Sequence, residues 1–282
     1  MTTFHLGTMG YGYKDWLGVF YPDHARPATA RSRTSALNFY SQIFDTVEMD
    51  TTFYATPRPE IVQRWRDQTP DGFIFCPKTP RTITHDTARS RTSALENSLA
   101  LMEEFVNVVA LLGDKLGPIL IQFPPEFDST HAGEVDHFLG SLSTQASEPV
   151  RLRYAVEFRH RSWDAPETAQ MLHAHNACWV SADYIIMAPR LHRTTDFLYL
   201  RFLGRHGTFK QKNRVQKDVI QTLEKWKGWL DAEIQRENTL SAVYAFINDD
   251  FSGHSPATVN HFKAMLGLPV TEPEIPWQNR LL

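Results

Sequence analysis

The chain lacks the features that mark secreted and membrane proteins. Its 282 residues include two cysteines, Cys76 and Cys178, in separate apolar runs, so a disulfide framework is excluded and both thiols are expected to be buried and reduced. No apolar run approaches the ~20 residues that span a bilayer, so we expect no membrane association. The first residues, MTTFHLG, lack the basic and apolar regions of a secretory signal, and we expect a cytoplasmic protein.

Linkers and nucleotide-binding glycines are also missing. No stretch rich in proline, glycine and serine divides the chain, so residues 1–282 are interpreted as a single domain. The segment GTMGYGY after the first apolar run does not match the GxGxxG pattern of dinucleotide-binding sheets, although this is weak evidence against an open, doubly wound sheet. The net charge of −3 gives no argument for nucleic acid from the whole chain.

Eight short apolar runs indicate the fold. They lie at 4–9, 45–49, 73–78, 118–123, 154–159, 178–183, 197–202 and 242–248, and helical spacing of apolar residues falls between them, most clearly at 95–109 and 215–234. After the sixth run no regular long helix is expected. Strand and helix alternating eight times is typical of a (β/α)8 barrel. The predicted fold is therefore an α/β protein, a single TIM barrel with a parallel eight-stranded core.

The alternation of side chains along these strands predicts which residues point into the barrel. The apolar set, for example Val47, Ile121 and Val156, is expected to contact the helices. The opposite set carries charged and amide groups to the carboxyl ends of the strands, where the active sites of such barrels lie. Its members are Glu48, Asp50, Lys78, Gln122, Glu157, Arg159, Asp183, Arg201 and Asn248. Such groups are costly to bury unpaired, so the pattern predicts either a plug of ion pairs or a functional site.

Positive charge is concentrated in the segments that follow the strands. With bounds of 10–34, 50–59, 78–92, 123–133, 159–166, 183–195, 201–217 and 248–256, these segments hold 19 Lys and Arg against 10 Asp and Glu. Segment 201–217, RFLGRHGTFKQKNRVQK, contains six basic residues and no acidic one. Phosphate sites in TIM barrels are often built from the loops after strands seven and eight, so this segment is interpreted as an anion-binding loop.

Six separated motifs are distributed along most of the chain: VEMDTTFYATP (47–57), FCPKTPRTITH (75–85), IQFPPEF (121–127), YAVEFRHRSW (154–163), YLRFLGRHG (199–207) and INDDFSGHSPATV (247–259). Together they resemble the motifs of domain-of-unknown-function family 72, the YecE-like proteins. The resemblance implies a TIM barrel and no established reaction. Two departures affect roles that need an amide: Asp50 stands where the family usually has Asn, and Ile247, Asn248 and Asp249 stand where it usually has Phe-Asn-Asn.

The resemblance and the strand pattern together define the candidate site. The resemblance also marks Thr52 and Gly204. We predict three catalytic residues, Glu48, Lys78 and Glu157. The predicted ligand-binding residues are Tyr54, His85, Gln122, Arg159, Trp163, Arg201, Asn248 and His254.

The preferred function is binding or turnover of a phosphate-bearing ligand, a nucleotide or nucleic acid, with no cofactor or metal. Arg159 and Arg201 would each donate two hydrogen bonds to phosphate oxygens, and Lys78 would add a positive charge. Glu48 or Glu157 would act as general base. The sequence does not decide whether the chain is an enzyme, and it predicts no oligomeric state.

Three alternatives stay open. The first is a divalent-metal-dependent hydrolase or isomerase resembling the xylose-isomerase and apurinic-endonuclease barrels, with Glu48, Glu157, Asp183 and His85 as ligands. The second is a Schiff base on Lys78. The third is a non-enzymatic barrel that binds nucleic acid at its basic face.

Overall fold

The computed structural model describes residues 2–22, 30–89, 95–145, 150–236 and 239–274, in which strands and helices alternate. The strands are β1 (Thr3–Met9), β2 (Thr46–Met49), β3 (Ile74–Pro77), β4 (Ile119–Gln122), β5 (Tyr154–Glu157), β6 (Cys178–Trp179), β7 (Ser181–Asp183), β8 (Phe197–Phe202) and β9 (Ala242–Ile247). The α-helices are α1 (Ala30–Ile43), α2 (Pro59–Asp67), α3 (Arg81–Arg89), α4 (Leu99–Val109), α5 (Ala132–Ser141), α6 (Pro166–Ala174), α7 (Ile220–Arg236), α8 (Asp249–Ser252) and α9 (Ser255–Met265).

The strands form two parallel sheets. The larger has six strands in the order β3-β2-β1-β9-β8-β7, and the smaller has three in the order β4-β5-β6. Single bridges from Phe75 to Leu116 and from Lys78 to Leu120 connect β3 with the β4 region. The chain is therefore an α/β protein, and the strand pairing among its described residues does not close the two sheets into one ring.

All eight predicted strands occur, and the sixth is divided. Val180 separates β6, which pairs with β5, from β7, which pairs with β8. Residues 184–196, which follow β7, contain no helix, in agreement with the expectation for the sixth connection. By contrast, α3 lies within 78–92, which the sequence analysis took entirely as a loop. The charge count for the loops therefore includes helical residues.

Apolar side chains form two clusters on opposite faces of the strands. The larger packs strand residues such as Val47 and Ile121 against helix residues such as Leu223 and Trp226. The smaller contains strand residues of the opposite parity, including Cys76, together with Val180. The predicted alternation of the apolar set is confirmed. Both cysteines are free and buried, and no helix in the described ranges is long and apolar enough to cross a membrane.

Candidate active site

Arg201, near the carboxyl end of β8, lies at the centre of a buried ion-pair network. Its Nε and Nη2 donate to the two carboxylate oxygens of Glu48 at 2.9 and 2.7 Å, and its Nη1 donates to Glu157. Nη2 also contacts Sδ of Met9 at 3.5 Å. The side chain is only 4% exposed, and both carboxylates are buried with it. Arg201 therefore directs its guanidinium to these two acids and not to the solvent.

This network crosses the face of the sheets that carries the smaller apolar cluster, called the inner face below. Glu48 lies on β2 and Arg201 on β8, with β1 and β9 between them in the sheet, yet the two side chains make two hydrogen bonds. Tyr199, two residues before Arg201 and on the same face of β8, donates to Glu48 at 2.9 Å. Strand alternation therefore places Glu48 and Arg201 on the same face as the smaller apolar cluster, as the sequence predicted for these two residues.

Glu157 and Arg159 extend the network at the end of β5. Nε of Arg159 donates to Glu157 at 2.7 Å. Although burial opposes ionisation, Arg159 and Arg201 lower the pKa of Glu157 to about 2. A carboxylate held this firmly in its ionised form is a weak base, so the geometry favours a role for Glu157 in holding the two arginines.

The outer part of Arg159 is available to a ligand. Its side chain is 19% exposed, and its guanidinium lies 5.0 Å from the ring of Tyr184. Within the described residues, the two terminal nitrogens of Arg159 have no hydrogen-bond partner. The residue therefore presents an unused guanidinium fork beside the buried network.

Lys78 follows β3 on the same inner face. Its Nζ donates to Oε1 of Gln122 at 2.8 Å and lies 3.9 Å from the centre of the Phe53 ring. Thr52 fixes the backbone, because its hydroxyl accepts from the amide of Lys78 at 3.0 Å and donates to the Lys78 carbonyl at 2.6 Å. Burial, followed by the charges of Arg201 and Arg159, lowers the pKa of Lys78 to about 7.

Two half-buried polar residues, His85 and Asp50, lie in the same part of the site as Lys78. His85 lies 3.4 Å from the Gln122 amide nitrogen and packs edge-on against Phe53. Asp50 accepts a long hydrogen bond of 3.4 Å from the hydroxyl of Tyr13. Burial and the neighbouring charge of Glu48 raise the pKa of Asp50. The site thus contains an acid with a raised pKa and an amine with a lowered one.

The chain matches the family model described as "Protein of unknown function DUF72" over residues 5–280. The chain belongs to the DUF72 family. UPF0759 protein YecE of Escherichia coli strain K12 is 37% identical over 139 residues, which are 49% of this chain and 47% of YecE, so the alignment spans about half the length of that relative. UPF0759 protein YunF of Bacillus subtilis strain 168 is 27% identical over 271 residues, 88% of this chain and 89% of YunF.

Solved structures of DUF72 proteins have a similar fold. TM1631 of Thermotoga maritima MSB8 superposes with a TM-score of 0.71 at 23% identity, covering 94% of this chain and 99% of its own. EF0366 of Enterococcus faecalis V583 gives a TM-score of 0.66 at 18% identity, covering 95% and 99%. At these identities the likeness concerns the fold alone.

Two aromatic candidates of this DUF72 chain lie away from the network. Trp163 is 1% exposed, stacks on Phe158 at 4.0 Å and donates its indole N–H to the carbonyl of Phe127 at 2.8 Å. The indole packs on Phe158 and also lines a cavity between α5 and α6, so its contact with a ligand stays a prediction. Tyr54 is 76% exposed and makes an edge contact with Phe53.

Asn248 and His254 serve local structure. The Asn248 side chain accepts from the amide of Asp250 at 2.9 Å and caps α8. His254 is buried, its Nδ1 lies 3.1 Å from the Lys212 carbonyl, and burial lowers its pKa. Both were predicted to bind a ligand; one polar atom of each, Oδ1 of Asn248 and Nδ1 of His254, contacts the protein backbone, and their ligand binding stays a prediction.

Asp183 is directed away from the site. The pairing of β7 with β8 sets Ala182, and not Asp183, beside Arg201 on the inner face. The Asp183 carboxylate accepts from the indole of Trp226 in α7 at 2.8 Å. The prediction that Asp183 faces the interior was wrong, and the set of ligands considered for a metal does not converge. Among the described residues, no three His, Cys, Asp or Glu side chains are grouped as a metal site.

The basic segment after β8 is anchored by Asp250 of α8. Asp250 accepts from the Gly207 amide at 3.2 Å and pairs with Nζ of Lys212 at 3.2 Å. A Cβ on Gly204 would lie 1.6 Å from the Asp250 carbonyl oxygen, so only glycine fits there. The side chains of Arg205, Lys210 and Arg214 remain exposed around this anchor.

Sequence reasoning missed the uncharged partners of the network. Met9, Tyr199 and Tyr184 contact its arginines or carboxylates. The same strand alternation could have identified Met9 and Tyr199, because both share the inner face with Glu48 and Arg201. A separate cavity of about 480 Å³ between α5 and α6 includes Asp136 and Glu167 in its lining, and it lies on the helical side of the protein.

Proposed function

We propose that the carboxyl ends of the strands form a cleft for a phosphate-bearing ligand, a nucleotide or nucleic acid, and that the cleft performs metal-free acid–base chemistry on it. The observation that carries this proposal is the fork of Arg159, whose terminal nitrogens are unused by the described protein while its Nε is fixed by Glu157. A guanidinium oriented in this way matches two oxygens of a phosphate.

The proposal includes a closed eight-stranded barrel. The bridges from β3 to the β4 region and the position of Val180 between β6 and β7 support a ring in which the two sheets are two arcs. In such a ring the ends of all strands face one mouth, and β6 with β7 counts as one interrupted strand.

The residues divide into a floor and a contact layer. Glu48, Glu157 and Arg201 form the floor, since their charges are paired and buried. Arg159 and Lys78 form the contact layer and bear positive charge toward the ligand. In this assignment Arg201 positions Glu157, which holds Arg159. Lys78 and Asp50 supply the acid–base pair in place of Glu48 and Glu157.

The surrounding loop adds long-range attraction. Arg205, Lys210 and Arg214 are exposed in the segment that follows β8, and exposed basic groups of this kind raise the rate at which anions associate. We place the protein in the cytoplasm as part of the same proposal, because both of its cysteines are free thiols.

Binding tests the proposal directly. Inorganic phosphate, a nucleoside monophosphate and a single-stranded oligonucleotide are titrated into the wild type and into Arg159→Gln by calorimetry. Removing the fork should weaken binding of all three ligands by about 10-fold or more, because a charge-assisted hydrogen bond is worth about 1.5–3 kcal/mol. Arg236→Gln is the matched control, since Arg236 is exposed at the last residue of α7 and pairs only with Glu233 in the described residues.

Salt dependence separates binding of one phosphate from binding of a nucleic acid, and turnover assays separate an enzyme from a binding protein. Binding through one phosphate should weaken modestly between two salt concentrations, whereas contacts with many phosphates should weaken it steeply. Binding without turnover would leave the chain a nucleotide or nucleic-acid binder. If the wild type binds none of the three ligands saturably, the proposal fails and the network is a structural plug of ion pairs.

A further inference from the structure

We propose that Lys78 is an amine nucleophile that forms an imine with an aldehyde or ketone group of the ligand. This inference rests on the proposed function, because Arg159 would hold the phosphate of the same molecule. It adds the substrate class: a phosphorylated carbonyl compound.

A second buried lysine shows what is unusual about Lys78. Lys115 is 6% exposed, close to the 8% of Lys78. Its Nζ donates to the carbonyls of Arg66 and Thr69 at 2.7 and 2.6 Å and to the Thr69 hydroxyl at 3.3 Å, so an ammonium there has three acceptors. Lys78 has one amide oxygen, from Gln122, and otherwise faces an aromatic ring.

The charges near Lys78 also favour a neutral amine. No carboxylate in the described residues forms an ion pair with its Nζ, and Glu48 and Glu157 are occupied by Arg201 and Arg159. Burial and the two arginines bring the pKa of Lys78 to about 7. About half of the amine is then neutral at pH 7, against about one part in 3,000 for an ordinary lysine.

Asp50 is the acid that the reaction needs. Burial and the charge of Glu48 raise the pKa of its carboxyl group, whereas the charge of Lys78 lowers it. In the proposed reaction the protonated form of Asp50 passes its proton to the carbonyl oxygen, and its carboxylate takes a proton back from the nitrogen.

The reaction balances with water as the only by-product. The Nζ lone pair forms a bond to the carbonyl carbon, and the C=O π pair moves to the oxygen, which takes the proton of Asp50. Asp50 then removes a proton from nitrogen, which gives a neutral carbinolamine. Asp50 returns this proton to the hydroxyl group, which leaves as water while the nitrogen lone pair forms C=N.

Reductive trapping tests the inference. The full chain is incubated with glycolaldehyde phosphate and cyanoborohydride, and the modified lysines are quantified by peptide mass spectrometry between pH 6 and pH 10. Lys78 should be labelled at least 10-fold faster than Lys115 and the exposed lysines at pH 7. Its labelling rate should reach half its maximum near pH 7, whereas exposed lysines continue to gain reactivity up to pH 10.

Two variants and a second probe complete the design. Lys78→Met should lose the fast phase, and Lys225→Met, which removes an exposed lysine of α7, should retain it. Glycolaldehyde without phosphate should label Lys78 at least 10-fold more slowly, and inorganic phosphate should compete with the phosphorylated probe.

The outcomes distinguish the two proposals. If phosphate binds in the calorimetric titration but Lys78 is labelled no faster than Lys115, the imine is overturned and the phosphate cleft stands. If both probes label Lys78 equally fast and phosphate does not compete, the amine is reactive and the phosphate cleft is wrong.

Discussion

Replacing Arg201 by methionine removes the cation that Glu48 and Glu157 share. Both acids are at most 2% exposed, and the variant leaves Glu48 with Tyr199 as its remaining donor among the described side chains. Removing one partner of a buried ion pair costs about 3–5 kcal/mol, because the other charge stays buried without compensation. For a chain of this size each kcal/mol lowers the Tm by about 2–4 °C, so we expect a decrease of about 10 °C.

The destabilisation caused by Arg201→Met should depend on pH. In the wild type the pKa of Glu157 falls from its ordinary 4.5 to about 2, so its ionisation stabilises the fold above 4.5 and the gain is lost as the pH falls toward 2. In Arg201→Met the buried acids gain by taking up protons. The deficit relative to the wild type should therefore be largest at pH 7 and smaller at pH 4.

Urea unfolding followed by tryptophan fluorescence measures both effects. Glu48→Gln combined with Arg201→Met should recover about 1–3 kcal/mol, because the neutral amide no longer needs a cation. A single variant within about 1 kcal/mol of the wild type at pH 7, or a deficit that is the same at both pH values, would refute the network. Arg201→Glu would bring three carboxylates together and is expected to unfold, so it cannot serve as a binding test.

Three further predictions concern the amine, the basic loop and its anchor. Lys78→Met should raise the free energy of unfolding at pH 7 by about 4 kcal/mol, because the pKa of Lys78 falls from 10.5 to about 7 in the fold. The cost of burying the ammonium is full below pH 7 and disappears as the pH rises to 10.5, so urea unfolding at pH 7 and 10 should show the gain shrinking. Gly204→Ala should lower the free energy of unfolding by about 2–3 kcal/mol, because its Cβ would clash with Asp250. Gly228→Ala in α7, which has open space around it, should be neutral or stabilising when both variants are compared by thermal unfolding. Arg214→Glu should weaken binding of a long oligonucleotide more than that of a mononucleotide, and equal losses in both titrations would contradict a role for this loop.

Most of what the sequence predicted about the site came from the alternation of side chains along the strands. A period of two is set by the backbone, so Glu48, Glu157 and Arg201 could be assigned to one face before any partner was known. The same argument failed for Asp183, because the sixth strand was counted in the wrong register. A shift of one residue reverses every side chain in a strand.

Individual partners could not be read from the sequence. Trp163 and Asn248 are residue types that bind ligands and also pack or cap helices. Their hydrogen bonds with the Phe127 carbonyl and the Asp250 amide depend on contacts that only the folded chain brings together. The helix α3 was missed for a related reason: it contains few apolar residues, so its spacing gave no helical pattern.

The proposed function depends most on the two terminal nitrogens of Arg159, which are unpaired in the described part of the chain. A crystal structure of the wild type grown with a saturating nucleoside monophosphate tests it directly. We predict the phosphoryl group within hydrogen-bond distance of the two terminal nitrogens of Arg159 and of Nζ of Lys78, with the Glu48–Arg201–Glu157 floor unchanged. A phosphoryl group bound only elsewhere, with Arg159 turned away from it, would contradict the account.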